Sequence, residues 1–591
     1  MRLPASRGRG GRDGERARDG RSSTHPRRAA PGQVDLRLAI PAAVGWVSTA
    51  AAVGVRGASA TLAVVSAAVA IAAVLTALAA AARGRPARLR ATRVESAPLR
   101  LGAASVRAGA AVAVAAGVAA LLLGAAAARE PLRHPAALDA AAAADGMVVA
   151  DIVLEEPPAP VASHTAGGSR SAGPRMRLVG RLTALHVGRE AGGQATDGSV
   201  ALHAPVPVVV FASRPGSGAD GSGDGHLGVG TVVRLSAAVR PADPADRAAY
   251  LLIARGGLEP TAPPAGPLAA ADDLRAGLSR AATALPGPGA ELLPGLAIGD
   301  VSAVAPALAQ TMKDSSLTHL TAVSGANCAV IVGLVLALSA AIGLRRPGRA
   351  VAALAALGAF VVLVTPQPSV RRAAVMAAVL IVSTASGRPA RGLPALSLAV
   401  VVLLAGDPWL ARDLGFALSV LATAGLLVLA PPLAERLSRR MPRRLAEALS
   451  IPIAAQVACQ PVLLVLQPGL PVHGVLANVL AEPAAAPATI GGLVSCVLLP
   501  VWPSAGALTL RLAWLPASWI AAVASVLSGL PWGRVPWPTG SGGVVALVVA
   551  TALVLAVVAL GRAPHAARPP DAHPGPPSSS LASTADVPPD G

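Results

Sequence analysis

Residues 292–300 read LLPGLAIGD, and residues 314–333 read DSSLTHLTAVSGANCAVIVG. Each sets polar groups directly against apolar runs long enough to be membrane spans. His319, Ser324 and Asn327 stand just before or inside a segment that is otherwise Ala, Val, Ile, Leu and Gly. Polar groups at membrane depth need protein partners or water. The block is therefore the first place to look for function.

Working outward, the 591 residues are 53% hydrophobic and only 14% charged, too few charges for a string of soluble domains. Apolar runs near the ~20 residues that cross a bilayer recur through most of the chain. The expected fold is a polytopic α-helical membrane protein of about 10–12 spans. The net charge of +19 sits largely in an Arg/Gly-rich leader, residues 1–34, and in a cluster from Arg83 to Arg100. Both read as cytoplasmic flanks under the positive-inside rule rather than as nucleic-acid contacts. The leader reads as disordered and not as a cleavable signal peptide.

Spans are expected at 36–55, 59–82 and 103–127, within a first membrane segment, 35–128. With a cytoplasmic N-terminus, three crossings place residues 129–290 outside the membrane. There the apolar residues come in short runs, MVVADIVLE, MRLVGRLTAL, SVALHA with PVPVVVFAS, TVVRLSAAV and YLLIA, separated by turn clusters. Such strands without helices predict a small β-barrel or sandwich, an oligonucleotide-binding (OB) barrel being one candidate. From 291 to 561 the chain is apolar again, with spans near 326–344, 350–366, 373–387, 394–406, 414–432, 450–467, 473–500 and 542–561. Basic patches at Arg345/Arg346/Arg349, Arg388/Arg391 and Arg436 to Arg444 follow alternate spans. Between 500 and 542 the Trp and Pro residues suggest interfacial helices or one broken span. The Pro/Ser-rich tail, 562–591, reads as disordered.

Several polar residues interrupt the later spans. Arg371 and Arg372 open one, and Asp407-Pro408-Trp409 with Arg412-Asp413 opens another. Gln456 and Gln460 stand one helical turn apart before Pro461, as do Asn478 and Glu482 before Pro483. Paired polar residues ending at Pro suit broken helices that line a cavity; for the charged pairs, a place at the membrane surface is the plainer alternative. Gly325, Ala329 and Gly333 give one helix face the small side chains of close packing. His319 with Ser324 invites an intramembrane hydrolase, but on a continuous helix five residues turn through about 140°, so the two do not share a face. No GxSxG elbow is present.

Other chemistry is unsupported. There is no GxxxxGK[ST] phosphate loop, and the ten His residues are scattered with no zinc-binding pair. Cys328, Cys459 and Cys496 all lie in apolar runs and read as small hydrophobes. No cofactor, metal or enzymatic activity is expected. The outer domain offers only Phe211 and Tyr250 as aromatics for base stacking, though Arg175, Arg177 and Arg181 would make a local basic patch.

LLPGLAIGD and HLTAVSGAN, with PSVRRAAVMA at 368–377, DPWLARDLGFALSVLATAGLL at 407–427 and the Ala477–Pro483 region, resemble the ComEC-type competence proteins, in the same order. The resemblance covers about residues 35–560. It implies an inner-membrane channel for single-stranded DNA in natural transformation, with an OB-like domain at 146–258 and with His319, Ser324 and Gly325 in the channel core. Where many relatives have a second His after the Ser-Gly pair, this chain has Asn327. The C-terminal metallo-β-lactamase-like domain of many relatives and its HxHxDH signature are absent from the sequence. The implied partners are single-stranded DNA, a helix-hairpin-helix DNA receptor, a cytoplasmic motor or DNA-binding protein, a separate nuclease, membrane lipid and further copies of the chain. The expected lining of the DNA path is His319, Ser324, Gly325, Asn327, Arg371, Arg372, Gln456, Gln460, Asn478 and Glu482, in the cell (plasma) membrane. A secondary transporter with His319 and Glu482 as proton-coupling groups is the alternative.

Overall fold

The computed structural model describes residues 36–83, 97–160, 175–186, 199–213, 227–321, 325–364, 368–386 and 392–560. The expectations for the leader, for most of the 83–100 basic cluster, for Ser324, for Arg388/Arg391 and for the tail fall outside these residues.

The first membrane segment is three helices, α1 (Ala39–Ala52), α2 (Ala58–Arg83) and α3 (Ala97–Arg133). Alternation of apolar and polar residues then gives way to strands β1 (Met147–Leu154), β2 (Ala159–Pro160), β3 (Arg175–His186), β4 (Ser199–Ser213), β5 (Val232–Pro241), β6 (Tyr250–Ala254) and β7 (Glu259–Ala262). In β1, Ala150, Ile152 and Leu154 are buried while Val149, Asp151 and Val153 between them are not, the period of two expected of a strand with one face in a core. The order β1-β3-β4-β6-β5 closes on itself through a β1–β5 pairing. Every contact around this ring is antiparallel except the parallel β4–β6 pair. This is a closed five-stranded barrel with OB connectivity, and closure removes the edges a small sheet would otherwise expose.

Two helices not expected from the short runs of residues 129–290 flank it. The helix α4 (Ala136–Ala143) plugs one end of the barrel with Leu138, and α5 (Pro267–Ala282) leads back to the membrane. Ala-rich α4 is too short, and α5 too polar on one face, to stand out as apolar periodicity.

The second membrane segment contains α6 (Pro288–Ile298), α7 (Pro306–Asp314), α8 (Thr318–Thr321), α9 (Gly325–Ala341), α10 (Arg346–Leu363), α11 (Pro368–Ala385), α12 (Gly392–Gly406), α13 (Leu414–Val428), α14 (Ala430–Leu437), α15 (Arg443–Leu466), α16 (Gly474–Val501), α17 (Pro503–Ser528) and α18 (Gly540–Leu560). A two-stranded clasp pairs β8 (Leu470–Pro471) with β9 (Arg534–Val535). Among the described residues six helices, α2, α3, α10, α15, α16 and α17, are long and apolar enough to cross a membrane. The pair α13–α14 makes a seventh, bent by 44°, and α1, α9, α12 and α18 are shorter apolar helices.

Three local expectations change. The 500–542 region holds one continuous helix of 26 residues, α17, which runs straight through Pro516. Likewise α15 continues past Pro461, and α16 runs for 28 residues through Pro483 and Pro487, so these are kept helices and not broken ones. Each internal Pro removes one N–H and frees the carbonyl four residues earlier, which neighbouring groups in a packed bundle tolerate. In the small-residue face of α9, Gly325 does meet a neighbour: an added Cβ would lie 3.3 Å from that of Ala373. Ala329 is exposed and Gly333 faces open space, so the face is not a packing stripe throughout.

Candidate polar cleft in the membrane domain

LLPGLAIGD is scaffold. Nine residues of α6, Gly289, Ala290 and Leu292 to Ile298, are buried. Glycines permit that depth: a Cβ on Gly289 would collide with the Ser518 backbone of α17, and one on Gly492 of α16 would collide with Ala297. The Leu296 carbonyl near the end of α6, short of an intrahelical donor, accepts from Thr489 Oγ1 at 3.0 Å. Gly299 ends the helix in the left-handed conformation, φ 78°. Asp300 then accepts from Ser302 N at 3.0 Å and Ser279 Oγ at 2.7 Å.

Against this scaffold the chain turns from α7 into α8 through Ser316, itself left-handed at φ 61°. His319 Nδ1 donates to the Ser316 carbonyl at 3.2 Å, which leaves Nε2 as the acceptor. An added Cβ on Gly474, the first residue of α16, would sit 3.0 Å from Gln456 Oε1 and 3.2 Å from Ser316 Oγ. Gln456 Nε2 donates to the Pro471 carbonyl at 3.3 Å and lies 3.5 Å from Gln460 Oε1. Asn478 Nδ2 donates to the Gly474 carbonyl at 2.6 Å, and Glu482, exposed like His319, interacts with it electrostatically. Gly474, Asn478 and Glu482 recur every four residues, so they share one face of α16. Further along that helix, Thr489, Ile490 and Leu493 face Asn327, Val330 and Ile331 of α9 around a cavity of about 10 Å³.

The fold therefore brings His319, Gln456, Gln460, Asn478 and Glu482 into one cleft, with Asn327 beyond them. The helix at Thr318–Thr321 and the helix from Gly325 flank residues 322–324, and Ser324 lies outside the described residues.

The two arginines of α11 go elsewhere, and to different places. Arg372 is buried, 5% exposed, and its guanidinium spans two hydroxyls of α13: Nε donates to Ser419 Oγ at 2.9 Å and Nη1 to Thr423 Oγ1 at 2.8 Å. Nη1 also lies 3.3 Å from Met376 Sδ. It sits behind Gly325, whose added Cβ would be 3.8 Å from Nη2. Arg371 instead lies toward the barrel: the charges acting on it are Arg247, Glu155 and Glu156 of the barrel and Asp407 of the segment after α12. Neither lines the cleft with the amides, since consecutive residues on a helix point about 100° apart.

Sequence reasoning treated Asp407-Pro408-Trp409 as an interrupted span and missed its role. Asp407 caps the following turn through Trp409 N at 3.2 Å and approaches Arg247 of the barrel at 3.5 Å. Trp409 Nε1 donates to Pro244 O of the barrel at 3.1 Å. Arg133 of α3 covers the Trp409 ring and donates to Asp246 O at 2.8 Å. The signal available was an apolar Trp beside a charge at a helix end, the usual dress of an interface. Of the barrel's aromatics, Tyr250 is fully buried and its hydroxyl donates to Asp139 at 2.7 Å, which removes it as a stacking platform. Among the described residues no group of three His, Cys, Asp or Glu side chains converges as metal ligands would.

Residues 296–562 match the protein family described as Competence protein. No curated protein and no solved structure matches the chain.

Proposed function

We propose that the chain is a membrane conduit for single-stranded DNA, because residues 296–562 match the family described as Competence protein, whose name ties it to DNA uptake. The observation that carries this reading is the cleft of His319, Gln456, Gln460, Asn478 and Glu482 inside an otherwise apolar bundle. A strand with a charge on every phosphate needs a hydrated path, and neutral amides contact it without trapping it. Hydrogen bonds from Gln and Asn are weaker than charge-assisted ones, so the strand can step between them. Arg372 contributes positive potential from behind Gly325 without touching the strand.

In this reading the barrel faces outward and the N-terminus is cytoplasmic. Arg345, Arg346 and the Arg436–Arg444 patch would then mark the cytoplasmic ends of their helices, in keeping with the positive-inside rule. The receptor, motor and nuclease are separate proteins, and the chain moves DNA without reacting with it.

The test is uptake of labelled DNA in a transformable host. A deletion strain should lose nuclease-resistant internal DNA and transformants together. The double variant Gln456→Leu/Asn478→Leu, present at parental membrane level, should lose at least tenfold. Normal internalisation by the deletion strain would overturn the proposal. A proton-coupled solute carrier is the second reading, supported by the electrostatic influence of Glu482 on His319; it predicts that Glu482→Gln abolishes transport of a solute and leaves DNA uptake intact.

A further inference from the structure

A small piece of sheet adjoins the cleft at Gln456. Leu470 pairs with Val535 and Pro471 with Arg534, and Val472 N donates to Gly533 O at 3.0 Å. This clasp ties the α15–α16 loop to the α17–α18 loop. Pro471, one of its four strand residues, is the residue whose carbonyl accepts from Gln456 inside the cleft. Arg534 fastens it. Its Nη2 donates to Gln467 Oε1 at 2.5 Å and to the Lys313 carbonyl at 3.3 Å, Nη1 donates to Pro468 O at 3.4 Å, and Asp314 lies 4.0 Å away. One guanidinium thus joins both loops to the end of α7, the turn that leads to Ser316 and His319. A cation beside the last carbonyls of α7 is also favoured by the helix dipole.

Between Asn327 of α9 and Thr489 of α16 the described residues leave a cavity of about 10 Å³, room for about one water. The clasp is built to open at low cost: its strands are two residues each, and a two-stranded ribbon is marginal in water. Its flank carries Trp532 in the left-handed region at φ 62°, so the turn is strained.

We propose that the β8–β9 clasp is the gate of the cleft and Arg534 its latch: the structure is the closed state, and release of Arg534 from Gln467 and Lys313 withdraws Pro471 from Gln456. The proposal rests on the reading of the cleft as the path of the DNA strand.

Facing residues of an antiparallel pair have Cα atoms about 4.5–5.5 Å apart, within disulfide range. The pair Leu470→Cys/Val535→Cys, made in the full chain, should lock the clasp when oxidised; the native Cys328, Cys459 and Cys496 are buried. Oxidation should cut internalised labelled DNA at least tenfold, and reductant in the medium should restore it, with neither single variant responding. Uptake at the parental rate with the disulfide shown to be formed overturns the gate. Independently, Arg534→Gln in proteoliposomes should leak a small anionic dye several-fold faster than the parent. Parental leakage also overturns the gate. A reduced, parental-level protein that internalises no DNA but still leaks on release of Arg534 would instead sink the DNA reading and keep the gate.

Discussion

The guanidinium of Arg133 lies 3.9 Å from the centre of the Trp409 ring, and the same indole donates to the barrel's Pro244 carbonyl. One aromatic side chain thus joins α3, the segment between α12 and α13, and the barrel. Truncating a buried Trp costs about 3–5 kcal/mol where it packs, and the cation–π contact adds to the loss. Trp409→Ala should therefore free the barrel without unfolding it. Hydrogen exchange would show the 242–249 loop and β5 end deprotected, with β1 and β3 amides unchanged; loss of protection throughout the barrel would contradict an interface role.

On the barrel wall, Arg234 forks onto Asp151, Nε to Oδ1 at 2.7 Å and Nη2 to Oδ2 at 2.9 Å, and His186 Nε2 adds a contact at 2.9 Å. The hydrogen bonds from Arg234 hold the Asp151 carboxyl at about 2, below its ordinary 3.8, against the opposing effect of burial. A depressed carboxylate stabilises the fold above its unfolded pKa, and that contribution is lost as pH falls through the folded value. At ~1.4 kcal/mol per unit the contribution is on the order of 2 kcal/mol. Asp151→Asn should reduce stability by that amount at pH 7, and the gap to the parent should close between pH 4 and pH 2. A gap that persists at pH 2 would show that the loss is steric.

Close packing of α13 on α15 depends on Gly425, where an added Cβ would meet the Ala454 carbonyl and the Ala458 Cβ, each at 2.8 Å. Because backbone cannot yield as a long side chain can, Gly425→Ala should cost about 1–3 kcal/mol. Thermal unfolding in detergent checks it, and Ala458→Gly should restore only the part owed to Ala458.

Arg372 reaches Ser419 and Thr423 together because its fork is planar and rigid. Lysine carries the same charge as a single point and cannot span both hydroxyls. Arg372→Lys should lower stability by about 1–3 kcal/mol, and Thr423→Val should add little on top of it. Full additivity of the two would mean that the pair does not interact.

Much of the architecture was legible. The longer strands of the barrel and the presence of the membrane helices follow from hydropathy and alternation, which are local and survive any packing. The single helix of the 500–542 region was obscured because Pro is a breaker in water yet is tolerated in a packed bundle, as α16 and α17 show. Within the site, Gln456 with Gln460 and Asn478 with Glu482 were found because residues one turn apart share a face. Arg371 and Arg372 were both expected in the lining because a charge inside a span suggests a path, and only the packing of α11 shows one turned to α13 and the other toward the barrel.

The sequence by itself determined a membrane chain with an inserted barrel, and it marked the polar residues that an apolar bundle has to account for. Tertiary structure decided which of those residues meet. Glu482 acts electrostatically on His319, Gln456 meets Pro471, and Trp409 meets Pro244 of the barrel. Hydropathy is a property of each residue in its own window, whereas a cleft, a latch and a docking seam exist only where distant backbones approach closely enough for side chains to touch.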